Sequence, residues 1–93
     1  MSLSGYGKNA KITNCKFNNC IKGIELVGFS DVDIKDSLFN CKDYSIISSN
    51  SRKMDNFVIQ NNKLNGQLYL YNCTNSVVSD NEINCPYVEI KSS

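Results

Sequence analysis

Four segments of this 93-residue chain carry one pattern, and that repeat limits the possible folds more than any other feature. The segments are Ile12–Asn18, Ile34–Asn40, Ile59–Asn65 and Val78–Asn84. Each reads aliphatic, any residue, Asn or Asp, small polar, any residue, large apolar, Asn. Successive units start 22, 25 and 19 residues apart. After each comes a short stretch: Ile24-Glu25-Leu26, Ile46-Ile47-Ser48, Leu68-Tyr69-Leu70 and Val88-Glu89-Ile90. In three of the four, apolar residues two apart mark a half-buried strand, and no segment has convincing helical spacing. A single unit cannot bury its apolar face. Stacking equivalent strands at about 4.8 Å makes parallel sheets with a continuous interior.

The repeat therefore predicts an all-β parallel β-helix solenoid of about four coils. The domain reading is residues 1–8 as an N-terminal extension, with Met1 to Gly7 a candidate cloning scar. Residues 9–93 form the repeats, at about 10–30, 31–54, 55–75 and 76–91. The longest interval places a bulging loop around Ser48 to Met54.

The chain holds fourteen Asn, and the repeat gives many of them a position. Asn18, Asn40, Asn65 and Asn84 recur at one bend, where Asn tolerates left-handed geometry. Their amides can donate and accept from coil to coil, which predicts an internal asparagine ladder. Asn40→Leu is then expected to cost about 1–3 kcal/mol. Asn14, Asp36, Asn61 and Asp80 mark a second bend.

Charge and composition narrow the partners. A net charge of +1 lacks the clustered Lys and Arg that nucleic acid or an anionic membrane requires. No apolar run approaches the roughly 18 residues of a membrane span, so no membrane insertion is expected. Met1 to Gly7 has no basic region followed by an apolar one, so no signal peptide is read there. With no His in the chain, His-ligated zinc, Ser-His-Asp triads and Cys-His dyads are excluded within it. No metal or other cofactor is expected. Five cysteines without a CxxC pair read as buried free thiols. Cys20 and Cys41 fall on adjacent rungs and are the one pair placed to bridge.

The four units and their Asn-rich bends resemble the right-handed parallel β-helix repeats of the pectate-lyase-like superfamily. That group includes polysaccharide lyases, glycoside hydrolases and phage tailspikes. The resemblance covers residues 9–91. It implies a right-handed coil and leaves activity open, because the fold hosts many functions. Enzymes of this group build sites from acids on one outer sheet face. The outward rows here are Thr13, Lys35, Gln60 and Ser79; Lys16, Leu38, Lys63 and Glu82; and Glu25, Ile47, Tyr69 and Glu89. No row offers adjacent carboxylates, and Lys63 opposite Glu82 reads as a cross-strand ion pair. No catalytic residue is therefore assigned.

Outward aromatics with nearby amides can stack on sugar rings. Tyr69, Tyr71, Tyr87 and Gln60 are the candidate carbohydrate-binding residues. The reading is a non-catalytic segment of a larger surface or phage-tail-like, polysaccharide-associated protein. Its parent would be extracellular or virion-associated, and polysaccharide is its candidate partner. The alternative is a fragment of a β-helix polysaccharide lyase or glycoside hydrolase. Uncapped end coils point to self-association or to continuation in a longer chain.

Overall fold

A computed structural model describes residues 2–4, 7–48, 54–71, 73–84 and 88–91. Ten strands follow one another: β1 (Ser2–Ser4), β2 (Lys8–Thr13), β3 (Lys16–Val27), β4 (Ser30–Lys35), β5 (Leu38–Ser48), β6 (Met54–Gln60), β7 (Lys63–Tyr71), β8 (Cys73–Ser79), β9 (Glu82–Ile83) and β10 (Val88–Lys91). No helix occurs among the described residues. One sheet orders β1-β3-β5-β7-β10, with β9 also beside β7; the other orders β2-β4-β6-β8. Every strand pairing is parallel. This is the expected all-β parallel solenoid. It has about three turns rather than four, because four stacked strands enclose three intervals.

The registers are those of the sequence repeat. Ile12 lies beside Ile34, Ile34 beside Ile59, and Ile59 beside Val78. Phe17, Phe39, Leu64 and Ile83 form a second inward column, in which the Phe17 and Phe39 rings stack at 4.7 Å. Ile24, Ile46 and Leu68 form a third. Ile34, Ile59, Phe39, Leu64, Ile24, Ile46 and Leu68 are fully buried. No coil could hide these side chains alone, so each coil depends on its neighbours.

Corners use residues that accept positive φ. Asn14, Asp36, Asn61 and Asp80 have φ of 53, 54, 56 and 56°, as the second bend requires. A parallel set precedes each coil: Asn9, Asp31, Asn56 and Asn75, with φ of 65, 57, 61 and 52°. Short polar side chains tolerate this region at low cost.

The asparagine ladder exists, with a different setting. Asn40 Nδ2 donates to Asn18 Oδ1 at 2.8 Å, Asn65 Nδ2 to Asn40 Oδ1 at 2.6 Å, and Asn84 Nδ2 to Asn65 Oδ1 at 3.0 Å. These residues are not among the positive-φ positions, and Asn18, Asn40 and Asn84 are exposed. The ladder therefore runs on the outside, just before the bend within β3 and β5. That bend comes from breaks in register after Asn18 and Asn40; in β3 the residue that turns left-handed is Asn19, with φ of 59°, not the ladder Asn18.

A second ladder lies inside. The backbone N–H of Cys15 donates to Ser37 Oγ, that of Ser37 to Asn62 Oδ1, and that of Asn62 to Asn81 Oδ1, at 3.2, 3.0 and 3.0 Å. Asn62 is 3% exposed and also donates through Nδ2 to the Ile34 carbonyl at 3.0 Å. It supplies the partners that buried backbone groups need.

Ser2–Ser4, placed by sequence in an N-terminal extension, pairs with Glu25–Val27 as a strand of the first sheet. The expected loop falls mainly on residues 49–53, outside the described residues, as does Cys85. Cys15, Cys20, Cys41 and Cys73 are free thiols.

Candidate functional site

After exposed Lys63, strand β7 alternates buried and half-buried residues. Leu64, Leu68 and Leu70 point inward, so Asn65, Gln67, Tyr69 and Tyr71 point outward. Parallel register then places Tyr44 of β5 beside Gln67, and Ile47 beside Tyr69. The Tyr44 and Tyr69 rings meet edge-on, with centroids 6.4 Å apart and planes at 77°. Tyr69 and Tyr71 lie nearly parallel at 6.3 Å and 9°. Three half-buried phenol rings thus form a fixed strip on one sheet face. Their spacing follows from the rungs and the two-residue strand repeat.

Amides and charges frame this strip. Gln67 and Asn65 lie on the same face of the same strand. Lys22, the rung neighbour of Tyr44, is 3.7 Å from Glu25. Lys63 and Glu82 approach to 3.5 Å, both exposed, as the rows foretell. The Asn84 amide, and then Lys63, hold the Glu82 carboxyl below its ordinary range. The face carries paired charges, the Gln67 amide and aromatic surface, while the Asn65 amide is taken up in the outer ladder. Chemically it can stack on a ring and exchange hydrogen bonds with hydroxyls.

Of the residues chosen from sequence, Tyr69 and Tyr71 are brought together. Gln60 is not with them; it lies on the other sheet and donates through Nε2 to Ser79 Oγ at 3.0 Å. Tyr87 lies outside the described residues. Tyr44 and Gln67 were missed. The signal for Gln67 was present, since it directly precedes inward Leu68 and continues the outward positions upstream; Tyr44 stands two residues before inward Ile46, and only the register shifts around it turn it outward.

Asp36 and Asp80 stand at left-handed corners with Asn61 on the rung between them. No group of three or more Cys, Asp and Glu side chains among the described residues is placed to hold a metal ion. A cleft of about 600 Å³ opens beside the outer ladder, lined by Asn19, Cys20, Ile21, Asn40, Cys41 and Lys42. Burial, and then the neighbouring Cys20 thiol, push the Cys41 thiol up to about 11. Burial also raises that of Cys73, against a lowering contact from Ser48. Neither buried sulfur is a ready thiolate. No protein family, curated protein or solved structure matches this chain.

Proposed function

We propose that this chain is a non-catalytic β-solenoid segment of a larger surface or phage-tail-like, polysaccharide-associated protein. It binds carbohydrate on the outer face of its larger sheet. The observation that carries this reading is the strip Tyr44–Tyr69–Tyr71, half-exposed on a rigid scaffold beside Asn65 and Gln67. Aromatic faces offer sugar C–H surfaces a contact area at low entropic cost, and the Gln67 amide serves hydroxyls. The repeat's likeness to pectate-lyase-like helices supports the polysaccharide setting.

A glycan array tests the binding. We expect signal for a subset of glycans, and an affinity lowered about tenfold by Tyr69→Ala, the loss of one aromatic contact. Silence across the array overturns the sugar reading. The chain is also proposed to associate with itself through its end coils. Support comes from charge: residues 7–18 hold three lysines and no acid, whereas residues 73–84 hold Asp80 and Glu82 and no base.

A further inference from the structure

Cys20 and Cys41 are register partners on β3 and β5. Adjacent strands lie about 4.8 Å apart, within the roughly 4.4–6.8 Å between Cα atoms that a disulfide spans. The Cys41 sulfur leans toward the first coil: a Cβ on Gly23 of β3 would stand 3.0 Å from it. The effect of the Cys20 thiol on Cys41 agrees with that approach. Register breaks on both sides of Cys20, so no continuous ladder fixes the backbone there. Both residues line the same cleft of about 600 Å³, which admits a small solute. Cys20 is half-buried, whereas Cys41 is 7% exposed. Cys15, Cys20 and Cys73 each donate to the carbonyl two residues back, of Thr13, Asn18 and Tyr71 at 3.3, 3.5 and 3.6 Å; what sets Cys20 apart is Cys41 as its register partner on the next rung.

We propose that Cys20 and Cys41 are a modification site. They close a reversible disulfide that staples the first coil to the second when a low-molecular-weight disulfide such as oxidised glutathione enters the cleft. The more exposed Cys20 reacts first. Its thiol loses a proton to water, and the thiolate attacks one sulfur of oxidised glutathione. The glutathione S–S bond breaks, and the released thiolate takes up a proton. The Cys41 sulfur then attacks Cys20 in the mixed disulfide and gives its proton to the second departing glutathione. Two protein thiols are oxidised, and one glutathione disulfide is reduced to two thiols. The inference is independent of the sugar reading.

The test equilibrates the folded 93-residue chain in glutathione buffers of graded ratio, followed by acid quenching and tryptic mapping. The expected product joins residues 17–22 to residues 36–42, in a fraction that rises with oxidised glutathione. Closing a 21-residue loop should raise Tm by about 5 °C or more, reversibly with reductant. Cys20→Ser abolishes both the link and the shift, while Cys15→Ser keeps both. Cys41→Ser leaves a glutathione adduct on Cys20; if that variant does not fold, the wild-type map and Cys20→Ser decide. No linked peptide at any ratio overturns the proposal. So does linkage spread evenly over the other cysteines, or a Tm unchanged on full oxidation.

Discussion

Asn62 and Asn40 show how burial sets the worth of one amide. Asn62 accepts from the Ser37 N–H and donates to the Ile34 carbonyl in the interior. Removing it strands both groups away from water, at about 1–3 kcal/mol for each. Asn62→Ala is therefore expected to cost about 2–4 kcal/mol in urea unfolding. Asn40 makes two ladder bonds but is exposed, so water replaces what a substitution removes. Asn40→Leu should fall at the low end of its sequence-based range, about 1 kcal/mol. Equal losses would show that burial does not set the worth of these amides and that both ladders hold the coils alike. The pattern placed both residues in the repeat; only burial told them apart.

At the scale of elements, the long strands β3, β5 and β7 turn a corner by being thin on the inside. Gly23, Ser45 and Gly66 are all buried there. A Cβ on Gly23 would come 2.5 Å from the Ser45 carbonyl oxygen and 2.8 Å from the Phe39 ring. Backbone cannot yield as a side-chain tip does. Gly23→Ala is expected to destabilise by about 2–3 kcal/mol, the cost of overpacking a tight interior, read as a lower urea midpoint at unchanged slope. An unchanged midpoint would mean that the corner opens freely. Registers were legible in the sequence because the side-chain period of two admits no slip: Ile12, Ile34 and Ile59 align in the sheet as they do in the text. The corners were half legible. Asn9, Asp31, Asn56 and Asn75 stand three residues before each unit's first aliphatic residue, a signal that only positive φ made plain. The Tyr44–Tyr69 contact joins residues on different coils, and it needed the bulge between Asn40 and Tyr44 to be known.

At the scale of the whole molecule, the two ends differ in charge. The first coil presents Lys8, Lys11 and Lys16, and the last presents Asp80 and Glu82, three rungs or about 14 Å away. In a head-to-tail stack, the column Lys16–Leu38–Lys63–Glu82 would continue with Lys16 of a second copy beside Glu82. That contact repeats the Lys63–Glu82 approach of 3.5 Å. The ends do not fit without adjustment. β1 lies in register with Glu25–Val27, and β10 extends the same column beyond Leu68–Tyr71, so an unbroken stack puts two strands in one slot. One of them must move aside, which opposes association, and the attraction left is mainly between exposed charges. Such charges act over about 8 Å at physiological ionic strength and about 30 Å at 0.01 M salt. Sedimentation velocity is therefore expected to show monomer at physiological salt and concentration-dependent association at low salt. Lys16→Glu should suppress that association with little change in monomer stability, because Lys16 is exposed. Acid should act similarly once it protonates Glu82. The Asn84 amide and Lys63 hold that carboxyl low, so the negative end persists through the mildly acidic range and is lost only below it. Association indifferent to salt, or retained in full by Lys16→Glu, would place the contact elsewhere than on these end coils.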